Sequence, residues 1–68
     1  MAVHELLGKV VSIENHLFRI GYLRRECDLG VATDSGTSYL VRLSDLKMIR
    51  QLKKNEDFDT AILSSGKQ

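Results

Sequence analysis

The chain holds few residues of the types that do chemistry: a single cysteine, Cys27, and two histidines, His4 and His16. A thiolate nucleophile needs a base within hydrogen-bond reach and a third group that orients the base. Cys27, His16 and Asp28 are the right types, but nothing in their spacing brings the imidazole to the thiol. A domain this small also lacks a deep pocket that excludes water. Ser35, in Asp34-Ser35-Gly36, stands in a turn without the Gly-x-Ser-x-Gly surroundings of a nucleophile elbow. Gly30, Gly36 and Gly66 form no phosphate-loop spacing. Structural zinc wants four Cys/His ligands at short paired spacings, so His4 and His16 could share a metal only across subunits. The residues predict a protein that is not an enzyme and has no cofactor and no metal.

The cations are the richer signal. Ten basic against nine acidic side chains give a formal charge of +1, which is not the composition of a protein that coats nucleic acid indiscriminately. Any electrostatic role rests on distribution. In GYLRRECDLG, residues 21–30, Arg24 and Arg25 lie between two strand-like runs. Neighbouring side chains of a strand point to opposite faces, so these two arginines cannot grip one phosphate if strand geometry persists. Arg24 shares parity with Phe18, Ile20 and Tyr22 and falls at the core rim, within reach of Tyr22, Glu26 or Asp28. Arg25 shares parity with Arg19, and Arg42 points outward on a later strand. Arg19, Arg25 and Arg42 then form a sparse outer face around the flat Gly21. That face suits an anionic strand or an acidic partner, or it serves only solubility.

From Arg42 to Lys54 the chain carries Arg42, Lys47, Arg50, Lys53 and Lys54 against the single acid Asp45, and Glu56, Asp57 and Asp59 then reverse the sign. A bipolar segment of this kind steers an acidic partner or nucleic acid, mates head-to-tail with a second copy, or is a solvated helix face. Stacking of bases wants exposed aromatics beside the cations. The chain offers Phe18, Tyr22, Tyr39 and Phe58, of which at least two are expected in the core.

The elements that must position these side chains are mostly strands. Alternation and β-branched residues over 9–14 put Val11 and Ile13 on one face and Val10, Ser12 and Glu14 on the other. Asn15-His16 sits where a tight turn is needed. The run from His16 to Arg25 sets Phe18, Ile20 and Tyr22 on the core side against Leu17, Arg19, Gly21 and Leu23. A mid-strand glycine such as Gly21 often marks a bulge or bend that curls a small sheet. Residues 29–33 and 38–43 form a second hairpin around Asp34-Ser35-Gly36-Thr37. Leu40 and Arg42 there oppose Tyr39, Val41 and Leu43.

Ser44 is a plausible N-cap for a helix over 45–55, in which Leu46, Ile49 and Leu52 recur at threes. The competing reading is a single turn at Ser44-Asp45-Leu46 followed by a fifth strand, Lys47 to Leu52. Residues 64–68 read as a disordered tail after one domain spanning 1–63. The fold class is mainly β: a small four- or five-stranded antiparallel barrel of the SH3 or Sm type with a short C-terminal helix, closure being the economical way to remove exposed edges.

LLGKVVSIENHLFRIGYL resembles the opening of Sm-like proteins, in which a short helix leads to a strand beginning near Gly-Lys and the next strand carries Gly-x-Leu, here Gly21-Tyr22-Leu23. This stretch is about a quarter of the chain, and the resemblance implies a small barrel. Asp28 is followed by Leu29-Gly30-Val31-Ala32 rather than by the Asp-x-x-x-Asn of a uridine pocket. Arg42 meets Leu43 where an Arg-Gly would end the later strand. No binding residue carries over from that family.

A chain of this length buries only about 60% of the surface its unfolded form exposes, and such domains add disulfides, a metal or a partner subunit. One cysteine makes no internal disulfide and fits a reducing compartment, so a homodimer or higher ring is the expected staple. MAVHELLG lacks the charged and apolar regions of a signal peptide, and no run approaches the ~20 apolar residues of a membrane span. A soluble, cytoplasmic protein with no membrane partner is expected. The leading expectation is a small regulatory or accessory protein that acts by protein–protein interaction as an oligomer. Leu17, Leu23, Leu40 and Arg25 are its contact residues, because large apolar side chains on both strand faces exceed what one core needs. The alternative is a single-stranded RNA or DNA module using Arg19, Arg25, Arg42, Lys47, Arg50, Lys53 and Lys54.

Overall fold

The computed structural model describes residues 6–66. His4, the rest of the opening segment over 1–5, and residues 67 and 68 lie outside the described residues. Five strands, β1 (Val10–Ile13), β2 (His16–Arg24), β3 (Leu29–Asp34), β4 (Thr37–Arg42) and β5 (Lys47–Gln51), pair in chain order as one antiparallel sheet. A 3₁₀ turn, Arg25–Cys27, follows β2, and the helix α1 spans Phe58–Gly66. The sheet curls into a half-barrel with an inner and an outer face.

Two turns set the hairpins. Glu14 and Asn15 have φ of 53° and 71°, and Ser35 and Gly36 have 52° and 83°. Positive φ at both central residues is the geometry whose twist matches that of the flanking strands. The first turn lies one residue earlier than expected, because His16 already pairs with Ile13.

The inner face holds Ile13, Phe18, Ile20, Ala32, Val41 and Leu43, all buried, with Val11, Leu23, Tyr39, Leu46 and Met48 packed around them. The outer face has its own core, in which Leu29, Val31, Leu40 and Leu52 meet Ala61 and Ile62 of α1, with Tyr22 and Cys27 at the margin. A chain this short therefore buries both faces of its middle strands.

Two bulges account for the departures from simple alternation. The first falls at Gly21: Ile20 pairs with Ala32 and Tyr22 with Val31, leaving Gly21 without an opposite number. The extra residue inverts the parity of everything after it. Tyr22 consequently goes to the helix side with Val31, and Leu23 turns into the inner core, the reverse of the predicted facing. Arg24 lies on the helix side with Tyr22. The second bulge lies between β4 and β5, where Leu40 pairs with Arg50 and Val41 with Met48. Ile49 is the unmatched residue and is exposed.

That second bulge corrects the helix over 45–55. Leu46, Ile49 and Leu52 recur at threes only because a strand with one extra residue imitates helical spacing. β5 occupies the segment, and the competing fifth strand is the structure's choice. A helix there would leave the open side of β4 unpaired, at a cost for every unmatched backbone group. Ser44 caps no helix; its Oγ donates to Asp28 Oδ2 at 2.7 Å. The helix lies later, and α1 takes in residues 64–66 of the predicted tail.

Gly30 is fixed by close approach. A Cβ there would stand 2.8 Å from Leu43 Cδ2 and 2.9 Å from the Tyr22 carbonyl oxygen, so the inverted strand lies too near for any side chain.

Candidate functional site

α1 rests on β3 and on the Arg25–Cys27 turn. It leaves the outer face of the first hairpin bare. In the register of that hairpin Val10 pairs with Arg19 and Ser12 with Leu17, so these four side chains share the uncovered face. Leu17 is 65% exposed, Val10 52% and Leu7, just before the hairpin, 56%. β1 is also an edge of the sheet, with one row of backbone groups that no strand among the described residues satisfies. Unpaired edge and exposed apolar side chains together make a surface suited to adding a strand from another chain.

Of the predicted contact residues, Leu17 stands where the sequence puts it. Leu23 is half-buried, packing against the inner core while also lining a surface cleft, and Leu40 is fully buried beneath α1, where no partner can reach it. Arg25 is exposed in the turn after β2, at the far end of that strand from Leu17. Leu7 and Val10 belong to the surface and escaped the sequence reading. The signal for Val10 was present, since it alternates with Ser12 on the same side of β1.

Most arginines of the predicted cationic face are engaged within the molecule. Arg19 Nη1 donates to the Gly8 carbonyl at 3.0 Å, tying the segment before β1 to the hairpin. Arg42 Nη1 pairs with Asp45 at 3.2 Å. Arg50 grips Glu56 with two bonds, Nη1 to Oε1 at 3.0 Å and Nη2 to Oε2 at 2.6 Å. The Lys53 backbone N–H adds a third bond to Glu56 Oε1, also at 3.0 Å. The guanidinium and that N–H lower the Glu56 pKa to about 2, and the carboxylate raises that of Arg50.

Arg24, at the other side of the helix, donates to the Tyr22 hydroxyl at 3.3 Å and to Asp59 of α1, while the Tyr22 hydroxyl donates to Asp59 at 3.1 Å. The Tyr22 hydroxyl, then Asp59, hold the Arg24 pKa above its ordinary value. The two ion pairs hold the start of α1 on the same face of the sheet, one from β2 and one from β5. Arg24-Arg25 is thus divided: one arginine anchors the helix, and the other faces solvent.

Arg25, Lys47, Lys53 and Lys54 remain with no side-chain hydrogen bond among the described residues. They lie in the turn after β2, at the start of β5 and beyond its end. Arg42 and Lys47 are paired across β4 and β5, but Arg19 and Arg25 are separated along β2 by about 20 Å at strand rise. The predicted three-arginine face is therefore not one patch. Cys27 is half-buried against the helix-side core, while His16 opens β2 at its opposite end.

Among the described residues no group of three or more His, Cys, Asp and Glu side chains is placed to hold a metal, and no helix is long and apolar enough to cross a membrane. Clefts open on the surface of the described residues. One of about 680 Å³ lies along Tyr22, Leu23, Arg24, Arg25 and Glu26. Another, of about 400 Å³, lies between the Ser35-Gly36 turn and the segment joining β5 to α1. No protein-family model matches this chain, and neither a curated protein nor a solved structure matches it, so its own residues carry its functional reading.

Proposed function

We propose that this protein is a small non-enzymatic regulatory or accessory module, cytoplasmic and SH3- or Sm-like in its curled barrel, that acts through protein–protein contact and first through contact with itself. The supporting observation is the exposure of Leu17 beside Val10 on an outer face that the helix does not cover, next to an edge strand whose outer side pairs with no strand among the described residues. Two copies related by a two-fold axis can align β1 against β1 in antiparallel fashion. Val10 and Leu17 of each then lie near their counterparts, and both free edges are satisfied at once. A second protein partner would use the same apolar and edge chemistry.

The test is Leu17→Asp, with mass measured by sedimentation equilibrium over a range of protein concentrations. The parent is expected to be a dimer and the variant a monomer of unchanged far-UV circular dichroism. A monomeric parent, or a variant that dimerises as well as the parent, overturns the reading.

Single-stranded nucleic acid is the second reading, supported by Arg25, Lys47, Lys53 and Lys54, which have no side-chain partner among the described residues. It predicts affinity that falls with salt by about 0.7 log units per tenfold change for each phosphate neutralised. Anisotropy of a labelled single-stranded RNA at two salt concentrations decides it, and no binding at the lower one removes it.

A further inference from the structure

The cleft of about 400 Å³ is lined by Gly36, Thr37 and Ser38 on one side and by Gln51, Leu52, Lys53, Lys54, Glu56 and Phe58 on the other. We infer that it is a binding site for a small planar anion of the nucleoside monophosphate class, with the phosphate on Lys53 and Lys54 and the base against Phe58.

The walls are fixed by backbone bonds. Leu52 N–H donates to the Ser38 carbonyl at 2.9 Å, carrying the β4–β5 pairing past the end of β5, and Glu56 N–H donates to the Lys53 carbonyl at 3.1 Å. The opposite wall is a tight turn whose Gly36, at φ of 83°, presents no side chain and has open space where a Cβ would stand. A ligand can therefore enter without ordering a loop, which removes one of the main costs of binding.

The donor set selects an anion. Glu56 is the only carboxylate in the lining, and its oxygens are already taken by the Arg50 guanidinium and the Lys53 N–H. Neither Lys53 nor Lys54 makes a salt bridge among the described residues; Glu56 lies near enough to feel the Lys53 charge, but its oxygens are committed to Arg50 and the Lys53 N–H, so both ammonium groups can still meet a ligand. The Ser38 hydroxyl, which lies on the helix side of β4 with Leu40 and shares a bond with Thr33 Oγ1 at 3.1 Å, can make a further bond of the kind that ribose hydroxyls require.

The ring selects planarity. Phe58 is 39% exposed, and Tyr22 takes one side of it at a centroid distance of 6.2 Å. An exposed aromatic beside two lysines is the arrangement on which bases stack while their phosphates are neutralised. The volume lies within the usual range for small-ligand pockets, about 300–1,000 Å³.

The site stands apart from the first hairpin, and its test is independent of dimerisation. Titrating ¹⁵N-labelled protein with AMP, and separately with adenosine and with inorganic phosphate, is expected to move amides of residues 36–38 and 51–58 and few others. AMP should bind at least tenfold more tightly than either fragment. Lys53→Glu combined with Lys54→Glu should weaken AMP at least tenfold while leaving the remaining amide spectrum unchanged, and Phe58→Leu should bring AMP down toward the affinity of phosphate.

No perturbation by 10 mM AMP, shifts centred elsewhere, or AMP no tighter than phosphate each overturns the proposal. The Leu17→Asp variant should bind AMP like the parent. A parent that is monomeric yet binds AMP fails the dimer reading alone, and a dimeric parent that does not bind AMP fails the ligand site alone.

Discussion

The outer face of the sheet has two halves that treat the same kind of residue differently. Over β3 and β4 it carries Val31 and Leu40, fully buried beneath Ala61 and Ile62 of α1. Over β1 and β2 it carries Val10 and Leu17, which nothing within the described residues covers. Both halves present large aliphatic side chains at alternate positions of a strand. Only the position of one helix separates a core from an open apolar surface, and that position is fixed by two ion pairs at the start of α1 and by apolar packing behind them.

Truncation on the two halves gives the largest contrast. Leu40→Ala removes a fully buried side chain and should destabilise by about 2–5 kcal/mol, a large fraction of the stability such a small domain possesses. Leu17→Ala should change the stability of the isolated chain by less than about 0.5 kcal/mol. Urea unfolding of both variants, under conditions where the protein is monomeric, checks the pair. Equal losses would mean that Leu17 has an intramolecular cover, and the comparison would collapse.

Gly30 sharpens the same contrast from the inner side. Gly30→Ala brings a methyl group against the Tyr22 carbonyl, which is backbone and cannot rotate away, and should cost about 1–3 kcal/mol as overpacking does. Gly21→Ala, in the bulge, meets nothing within 4 Å and should be nearly neutral. A shift of the denaturation midpoint for Gly30→Ala no larger than that for Gly21→Ala would show that the strand can give way where the packing says it cannot.

These glycines also show how far the sequence could be read. The alternation of β1, the Ser35-Gly36 turn and the mainly β class are visible in residue order, because strand period and turn chemistry are local properties. The mid-strand Gly21 does suggest a bulge, but its consequence, the exchange of faces between Tyr22 and Leu23, follows only once the strand is paired. Leu40 looks like a surplus apolar residue until α1 is placed over it, and that placement depends on residues nearly twenty positions later. The spacing of Leu46, Ile49 and Leu52 is ambiguous in principle, since a bulged strand and a helical turn both allow threes. The candidate surface was legible at Leu17 alone. The clamps on α1 join residues that only the fold brings together, as in Tyr22 and Arg24 with Asp59.

The ion pair of Arg50 and Glu56 lets the helix-covered half be loosened without touching its core. The folded-state pKa of Glu56, about 2, lies below the ordinary glutamate value of about 4.3. The contribution of the pair is therefore complete above that ordinary value and is lost as pH falls toward 2. The parent should lose stability over this window, and Glu56→Gln should be less stable than the parent at pH 7 with a flatter profile through the same range. Thermal melts at half-unit steps of pH check it. A parent and variant whose profiles run parallel would show that the clamp does not contribute to holding α1.

A small stabilisation is expected at the tip of the bare hairpin. Its turn residues Glu14 and Asn15 both have positive φ, as do Ser35 and Gly36 in the other tight turn, but only the second turn contains a glycine. Positive φ is uncommon for a residue with a Cβ and is tolerated best by asparagine and aspartate. Asn15→Gly removes the side-chain penalty and creates a residue suited to this turn type, at the cost of greater freedom in the unfolded chain. The two terms oppose each other, so the net gain should be about 0.5 kcal/mol, read as a small rise in the urea midpoint with an unchanged slope. Gly36→Asn, made in the opposite sense, should lower it. If both substitutions moved the midpoint in the same direction, the two turns would not be equivalent, and the register that places Leu17 opposite Ser12 on the open face would need a different origin.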